Sequence, residues 1–308
     1  MKYAKDTRPK GVSHKAAEVL VEALPWIKNI TGKTVVIKYG GSAMVDAQLR
    51  ADVMNDIVLL KIVGVNPVIV HGGGKAITEA MEFVNLPVEF KDGQRVTTPE
   101  AMDLVRTVLM GKVNQELVEA LNEHGNFAVG VSGADAGVIV AEQASLDLGR
   151  VGRITRINRP LLDDLVNADM VAGHIAAAIG AHKVVFLTDV DGLYENFEDK
   201  STLISNLTLF EAQYMIENNV VSTGMIPKLK SCVTALDAGV FRAHILNGTT
   251  PHSLLLELLT STGVGTTMHS TEEACKFDSH PLGNFASKLL ENREQAAAQA
   301  AAAERFAG

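Results

Sequence analysis

Two glycine clusters, each set between an apolar strand-like run and a helical stretch, constrain this chain more than any other feature. Thr34-Val-Val-Ile-Lys38 leads into Tyr39-Gly40-Gly41-Ser42, and Pro67-Val-Ile-Val-His71 leads into Gly72-Gly73-Gly74. Short continuous apolar runs of this kind suit strands buried on both faces, as in a parallel sheet covered by helices. The residues that follow, from Ala43 to Val63 and from Gly74 to Phe83, read as helices. Glycine lets backbone approach a phosphate closely, and a helix N-terminus adds free N–H groups and a favourable dipole. Ligands of open α/β sheets bind at the carboxyl ends of the strands. Plain tight turns are the alternative reading, weaker for two neighbouring clusters than for one. No Gly-x4-Gly-Lys-Ser/Thr loop occurs, and no Gly-x-Gly-x-x-Gly follows the first strand. The chain is therefore neither a P-loop protein nor one with a dinucleotide fingerprint in its first turn.

Lys38 ends the first strand beside the first glycine cluster, where a ligand would sit. Phosphoryl transfer needs fixed cations against spreading negative charge and little covalent help. A lysine snorkelling to solvent would look the same in isolation. Lys228, in Ser222-Thr-Gly-Met-Ile-Pro-Lys228, falls in the first turn of a predicted helix. A cation there opposes the helix dipole unless an anion is bound, and such local conflicts mark functional positions.

Strand and helix signals alternate along the rest of the chain, predicting an α/β fold with a mostly parallel central sheet sandwiched between helices. An opening helix from Ala16 is expected to end or kink near Leu24, before Pro25. Two helices, Pro99 to Met110 and Lys112 to His124, are expected either side of Gly111. Phe127 to Val131, Val138 to Ala141 and Gly149 to Ile157 read as short strands, and Asp169 to Ile179 as a helix. Beyond it come strands Lys183 to Thr188 and Arg242 to Leu246, with helices Leu209 to Glu217, Gly224 to Ala238 and Pro251 to Leu259. The alanine-rich run Glu294 to Glu304 has high helix propensity and little to bury. The net charge of −8, without a basic block, argues against a nucleic-acid surface. No run approaches the roughly 20 apolar residues of a membrane span, and Met1 to Lys15 lacks a signal-peptide core. Cys232 and Cys275 have no metal or redox spacing, so reduced thiols and a cytoplasmic location are expected.

Eight motifs then fall in a characteristic order. They are Lys38-Tyr-Gly-Gly41, His71-Gly-Gly-Gly74, Gly111-Lys-Val-Asn114, Gly130-Val-Ser-Gly133, Asn167-Ala-Asp169, Thr188-Asp-Val-Asp-Gly-Leu-Tyr194, Gly224-Met-Ile-Pro-Lys228 and Gly263-Val-Gly-Thr266. The set resembles the N-acetylglutamate kinases of the amino-acid kinase family, from about Ala16 to Met268. The resemblance implies ATP-dependent phosphorylation of the side-chain carboxylate of N-acetyl-L-glutamate, with Mg²⁺ accompanying the nucleotide. It implies Lys38 and Lys228 as the cations on the transferring phosphoryl and Asp169 as the carboxylate between them. It implies Gly73, Gly74, Arg95 and Asn167 on the acceptor, Arg95 gripping its α-carboxylate. It places Gly40, Gly41, Asp189, Gly192, Leu193, Tyr194, Gly224 and Met225 on the nucleotide, and no resident metal site. The implied layout is an oligomerisation helix over 1–30, an acceptor lobe over 31–165, a nucleotide lobe over 166–270 and an extension over 271–308. The opening helix and Glu257 to Gly265 resemble the branch inhibited by L-arginine, which implies a homo-oligomer, a hexamer or a dimer. Aspartate, carbamate and uridylate are acceptors on the same fold, so another small acceptor stays open.

The pattern also departs from the family. Leu165 stands where an asparagine is usual, Thr223 where a glycine is usual, and Asn247-Gly-Thr249 where Asp-Gly-Arg is common. A buried strand and hairpin that opens with a Gly-x-Ile-Pro-Val-type run has no counterpart before Asn167. Losing a central strand would leave a gap in the sheet and unpaired backbone beside the site. A homologue that binds nucleotide or arginine without catalysis is therefore the rival reading.

Overall fold

The computed structural model describes residues 12–44, 46–91, 93–158, 169–218, 220–222, 224–260 and 263–270. Helix α1 (Val12–Ile30) runs through Pro25 and does not stop at Leu24. Trp26, Ile27 and the buried Ile30, beyond the proline, pack into the core, and that packing carries the helix past its weak point. Strand β1 (Thr34–Tyr39) leads through a 3₁₀ turn (Gly41–Met44) to α2 (Ala47–Ile62). The helix begins later than expected because Asp46 caps it, its carboxylate accepting from Gln48 N and Leu49 N at 2.9 Å. Strand β2 (Asn66–His71), α3 (Gly74–Phe83) and the small hairpin β3 (Phe90–Lys91) and β4 (Gln94–Arg95) follow. Helix α4 (Pro99–Val108), capped by Thr98, does not break at Gly111. It passes through a π turn (Leu109–Asn114) into α5 (Gln115–Asn122).

An antiparallel pair comes next, β5 (Ile139–Gln143) and β6 (Gly152–Ile157). After it lie α6 (Asp169–Ile179), β7 (Lys183–Thr188), β8 (Leu193–Tyr194), β9 (Leu203–Ile204) and β10 (Asn206–Thr208). Helix α7 (Leu209–Glu217) opens with a Thr208–Glu211 capping box. Helix α8 (Ile226–Asp237), β11 (Arg242–Asn247), α9 (Ser253–Leu259) and β12 (Thr266–His269) complete the described chain. Among the described residues no helix is long and apolar enough to cross a membrane.

Six strands form one sheet in the order β10-β12-β11-β7-β1-β2, parallel throughout except for β11 against β12. Alternation along β1 feeds two apolar layers. Val35, Ile37 and Tyr39 meet α2, α5 and α9, while Val36 meets α6, α7 and α8. Helices α6 and α8 touch at Gly173, whose N–H donates to Ser231 Oγ at 3.1 Å. A Cβ at Gly173 would lie 2.3 Å from the Ser231 carbonyl oxygen, so only glycine permits this crossing.

The expected gap is not inside the sheet: β1 pairs directly with β2 and β7. Instead β2 forms one edge, and a groove of about 290 Å³ lies between it and 127–131. Ile69, Leu117, Leu121 and Val129 line this groove. Phe127 to Val131, predicted as a strand, joins no ladder among the described residues. Residues 159–168, where the sequence lacks the family's strand and hairpin, lie outside the described residues, as does the alanine-rich tail.

A half-buried ion pair ties α2 to the start of α9. Asp56, 1% exposed, takes a 2.7 Å hydrogen bond from His252 Nδ1, and His252 adopts a left-handed φ of 57°. Burial pushes the Asp56 carboxyl up to about 6, and the hydrogen bond to Asp56 raises the His252 imidazole. Both groups hold their protons more tightly folded than unfolded. The Asp56 share of stability is therefore lost as pH rises from about 4 to about 6, whereas the share from the charge pair needs Asp56 ionised and His252 protonated, so it appears above about 6 and is lost as pH rises through the raised His252 value. His252→Asn keeps a residue tolerant of positive φ but removes the cation. Because His252 is half exposed, the expected loss is modest, about 1–2 kcal/mol at pH 7, and smaller at pH 5 where Asp56 is protonated. Urea melts of both proteins at pH 5 and pH 7 would show it; an equal loss at both values would remove the ion pair from the explanation.

Candidate active site

Parallel pairing gathers the carboxyl ends of β1, β2, β7 and β11 along one rim. Gly72 N donates to Tyr39 O at 3.1 Å and Gly248 N to Thr188 O at 2.8 Å, so the loops that leave these strands are tied in pairs. Lys38, aligned with Val70 and Phe186 of the flanking strands, is only 7% exposed. Its ammonium stands over the first glycine cluster: a Cβ on Gly40 would meet Lys38 Nζ at 3.2 Å and Gly72 N at 3.8 Å. Gly41 takes a φ of +71°, which side-chain-bearing residues rarely adopt.

The Lys38 ammonium is pushed down to about 8, first by burial and then by the Lys228 ammonium, with Asp189 pulling the other way. The fold thus brings together two lysines 190 positions apart in sequence, and sets a carboxylate within reach of their charge. Lys228 lies in the first turn of α8 as the sequence predicts, its Nζ donating to Gly224 O at 3.3 Å. Met225, which is buried, precedes that turn as its N-cap residue. A snorkelling lysine at position 38 is excluded by its burial.

Arg95 is not a free surface residue. From β4 it reaches the N-terminus of α3, where Nη2 donates to Gly74 O at 3.1 Å and to Thr78 Oγ1 at 2.6 Å. Its guanidinium covers the Phe90 ring at 4.6 Å. The hairpin therefore presents a planar cation beside the second glycine cluster. Gly73 is pressed onto the π turn, where a Cβ would strike Leu109 Cδ2 at 2.7 Å. Asp169 starts α6, the helix that packs on α8, and Asn167 lies outside the described residues.

The loop after β7 is built by hydrogen bonds to β11 and β12. Thr188 Oγ1 donates to Asp189 Oδ1 at 3.1 Å. Asp191 accepts from Tyr194 OH at 2.7 Å and from Asn247 Nδ2 at 2.8 Å, bonds that hold its carboxyl below the usual range. Leu193 N donates to Thr266 Oγ1 at 2.8 Å, and a Cβ on Gly192 would collide with that hydroxyl. Asn247, one of the departures from the family pattern, thus suits its surroundings, since an aspartate there would set two carboxylates against each other. Sequence reasoning missed Thr266 as a support because β12 is too short and polar to show periodicity, and Asn247 and Thr78 because their partners, Asp191 and Arg95, are distant in sequence. It also missed the contact of His71 with Asn114, which depends on the π turn. Among the described residues no three metal-binding side chains gather.

Comparison with known proteins places this arrangement. The amino acid kinase family profile matches residues 33–247. The acetylglutamate kinase of Halothermothrix orenii is 46% identical over 277 aligned residues, covering 81% of this chain and 96% of that protein. The acetylglutamate kinase of Paenarthrobacter aurescens is 42% identical over 310, covering 88% and 98%. In the first alignment 81% of the 308 residues is about 250, against 277 aligned positions, so some 27 positions of the relative face no residue here. Among solved structures, N-acetylglutamate synthase from Neisseria gonorrhoeae, complexed with coenzyme A and N-acetyl-glutamate, superposes with a TM-score of 0.70 at 25% identity. That match covers 83% of this chain and 63% of the synthase. Carbamate kinase from Giardia lamblia bound to AMP-PNP shares the fold at a TM-score of 0.56 and 14% identity, over 78% and 99%. With the profile spanning most of its length and relatives this similar over nearly their whole extent, the chain belongs to the amino acid kinase family, among the acetylglutamate kinases.

Proposed function

We propose that the chain moves the γ-phosphoryl group of ATP onto the side-chain carboxylate of N-acetyl-L-glutamate, giving N-acetylglutamyl 5-phosphate and ADP. The observation that carries this reading is the buried Lys38 ammonium, held over the glycine loop beside Lys228. An ionised carboxylate needs no base. Its oxygen bonds to phosphorus as the bond to the ADP oxygen breaks, and catalysis is positioning plus charge stabilisation. Lys38 and Lys228 take the charge that spreads over the phosphoryl oxygens, with Asp169 set between the two ammoniums. Arg95 and Asn167 hold the acceptor, with Gly73 and Gly74 lying where the acceptor and the transferring phosphoryl group meet. Gly40, Gly41, Asp189, Gly192, Leu193, Tyr194, Gly224 and Met225 hold MgATP, the Mg²⁺ arriving as part of that substrate. On this reading 31–165 form the acceptor lobe and 166–270 the nucleotide lobe of a cytoplasmic enzyme of arginine biosynthesis.

The finer parts of the reading concern regulation. Val19, Leu20, Val21 and Leu24 of α1 are exposed, an apolar stripe suited to pairing with another copy in a hexamer or a dimer. Glu257 is buried, its Oε1 2.7 Å from His244 Nδ1. It also accepts from Val264 N at 2.7 Å, Gly265 N at 3.1 Å and Thr267 Oγ1 at 2.8 Å. These bonds fix the turn at 263–265, the segment to which we assign L-arginine as an inhibitor. If so, Glu257→Gln should raise the arginine concentration for half-inhibition by about tenfold or more, read from inhibition curves.

One observation favours the rival reading of a binding homologue with impaired catalysis. The groove beside β2 ends at His71 and Asn114, close to the glycine loop, and some 27 aligned positions are missing. Trapping acyl phosphate with hydroxylamine, with N-acetyl-L-glutamate, L-glutamate and aspartate as acceptors, separates the two readings. Hydroxamate from N-acetylglutamate alone is expected. No product from a chain that nucleotide still stabilises against melting would favour the binding homologue, and product from aspartate would name another acceptor. Lys38→Ala and Lys228→Ala should each lower kcat by about 10²–10³-fold with melting little changed. Because Lys38 must be charged and sits near 8, kcat/KM of the wild type should fall as pH rises past about 8. Lys38→Arg should remove that limb from the profile.

A further inference from the structure

The π turn Leu109–Asn114 makes three contacts with the second glycine cluster that a regular helix would not make together. Leu109 and Val113 press on Gly73, where a Cβ would stand 2.7 Å and 3.3 Å from their methyl carbons. Asn114, 5% exposed, sets its Nδ2 3.2 Å from Nε2 of His71, which is also 5% exposed. Nδ1 of the same ring lies 3.2 Å from Gly72 O. A carbonyl oxygen only accepts, so Nδ1 carries the proton. Nε2 is then the acceptor in the neutral ring, and the Asn114 amide is the donor it faces. On its far side Asn114 is closed in by Gly130, where a Cβ would fall 1.9 Å from Oδ1, so the amide has no room to swing away.

The consequence reaches the site through one peptide plane. The unit that joins Gly72 to Gly73 is planar and trans, so its C=O and N–H point to opposite sides. Gly72 is also fixed from the other direction, its own N–H bonded to Tyr39 O. We propose that His71 and Asn114 are positioning residues for phosphoryl transfer: Asn114 holds the imidazole as the Nδ1–H tautomer, Nδ1–H holds the Gly72 carbonyl, and the Gly73 N–H is thereby aimed at the transferring phosphoryl oxygens. Burial lowers the His71 pKa, in keeping with a ring that stays neutral. Neither side chain touches substrate in this scheme, and both act through Gly73. The inference rests on the proposed kinase reaction.

The test compares Asn114→Leu, His71→Leu and His71→Asn with the wild type, using full-length protein. Asparagine places an amide donor near the Nδ1 position and can still bond Gly72 O, whereas leucine cannot. Both leucine variants should lose about tenfold or more in kcat with KM for ATP changed less than twofold, and His71→Asn should recover most of the loss. Calorimetry with ADP, aluminium fluoride, Mg²⁺ and N-acetylglutamate, a mimic of the transferring phosphoryl, should show the same order in affinity without requiring turnover. Proton–nitrogen correlation spectra of labelled histidine, with His71 identified by its loss in the variants, should show Nδ1 protonated in the wild type. A Nε2–H tautomer, wild-type kcat in His71→Leu, or His71→Asn no better than His71→Leu would each overturn the inference. A wild type with neither turnover nor binding of the mimic would remove the kinase reaction and this inference together. A wild type that binds while the variants do not differ from it would remove the inference alone.

Discussion

The ammonium of Lys38 is almost wholly withdrawn from water at the end of a strand whose neighbours are apolar. A charge in that position is unfavourable by itself, and burial accordingly weakens its hold on its proton. A second ammonium, Lys228, weakens it further. The Asp189 carboxylate makes such a pair tolerable, and the glycine turns and helix N-terminus beside the two cations make it useful, because together they favour an anion of high charge. Much of the fold follows from keeping those two cations close. Strand β1 lies between β2 and β7 and cannot shift. Helix α8 is locked to α6 at Gly173 and Ser231, one turn beyond Asp169 and one turn beyond Lys228.

The two halves of the rim are held by different means. On the β7 and β11 side, side-chain hydrogen bonds dominate: Asn247 to Asp191, Tyr194 to Asp191, and Thr266 to the backbone of Leu193. On the β1 and β2 side, glycines packed against side chains dominate, with Gly40 under Lys38 and Gly73 on Leu109. The first arrangement leaves rotatable hydroxyls and amides that can re-pair. The second is steric and permits little adjustment. A site that must admit a large nucleotide and then hold a small transferring group fixed has use for one side of each kind.

How much of this was legible in the sequence depended on whether a segment's fate was decided locally. Strands β1, β2, β7 and β11 are continuous apolar runs, and α3 and α7 start where glycine or a capping box marks them. The meeting of Lys38 with Lys228 could be anticipated because each lysine sat in a locally odd place. An end of helix α1 at Leu24 did not occur because Pro25 is a local signal and the packing of Ile30 is not. The break expected at Gly111 failed for the same reason: glycine there serves a widened helical turn. Strands β10 and β12 were invisible, since three or four residues with threonine and histidine among them carry no period. Arg95 was read as a cation for the acceptor, but its seat against Gly74 and Thr78 depends on how a hairpin folds over a distant helix.

The π turn has a meaning in terms of helix phase. One extra residue in a regular helix rotates everything beyond it by about 100°, whereas a π turn widens to take that residue in and leaves the following turns in phase. At α4 and α5 the widened turn lets Leu109 face the glycine loop and Asn114 face His71 on the same side, although five residues of plain helix would separate them. If the extra residue were not absorbed in this way, Asn114 would turn away from His71, together with the core residues Leu117 and Leu121 of α5. The packing of α5 thus holds the turn in its widened form, and hydrophobic contacts guard a polar one with which they share no atoms.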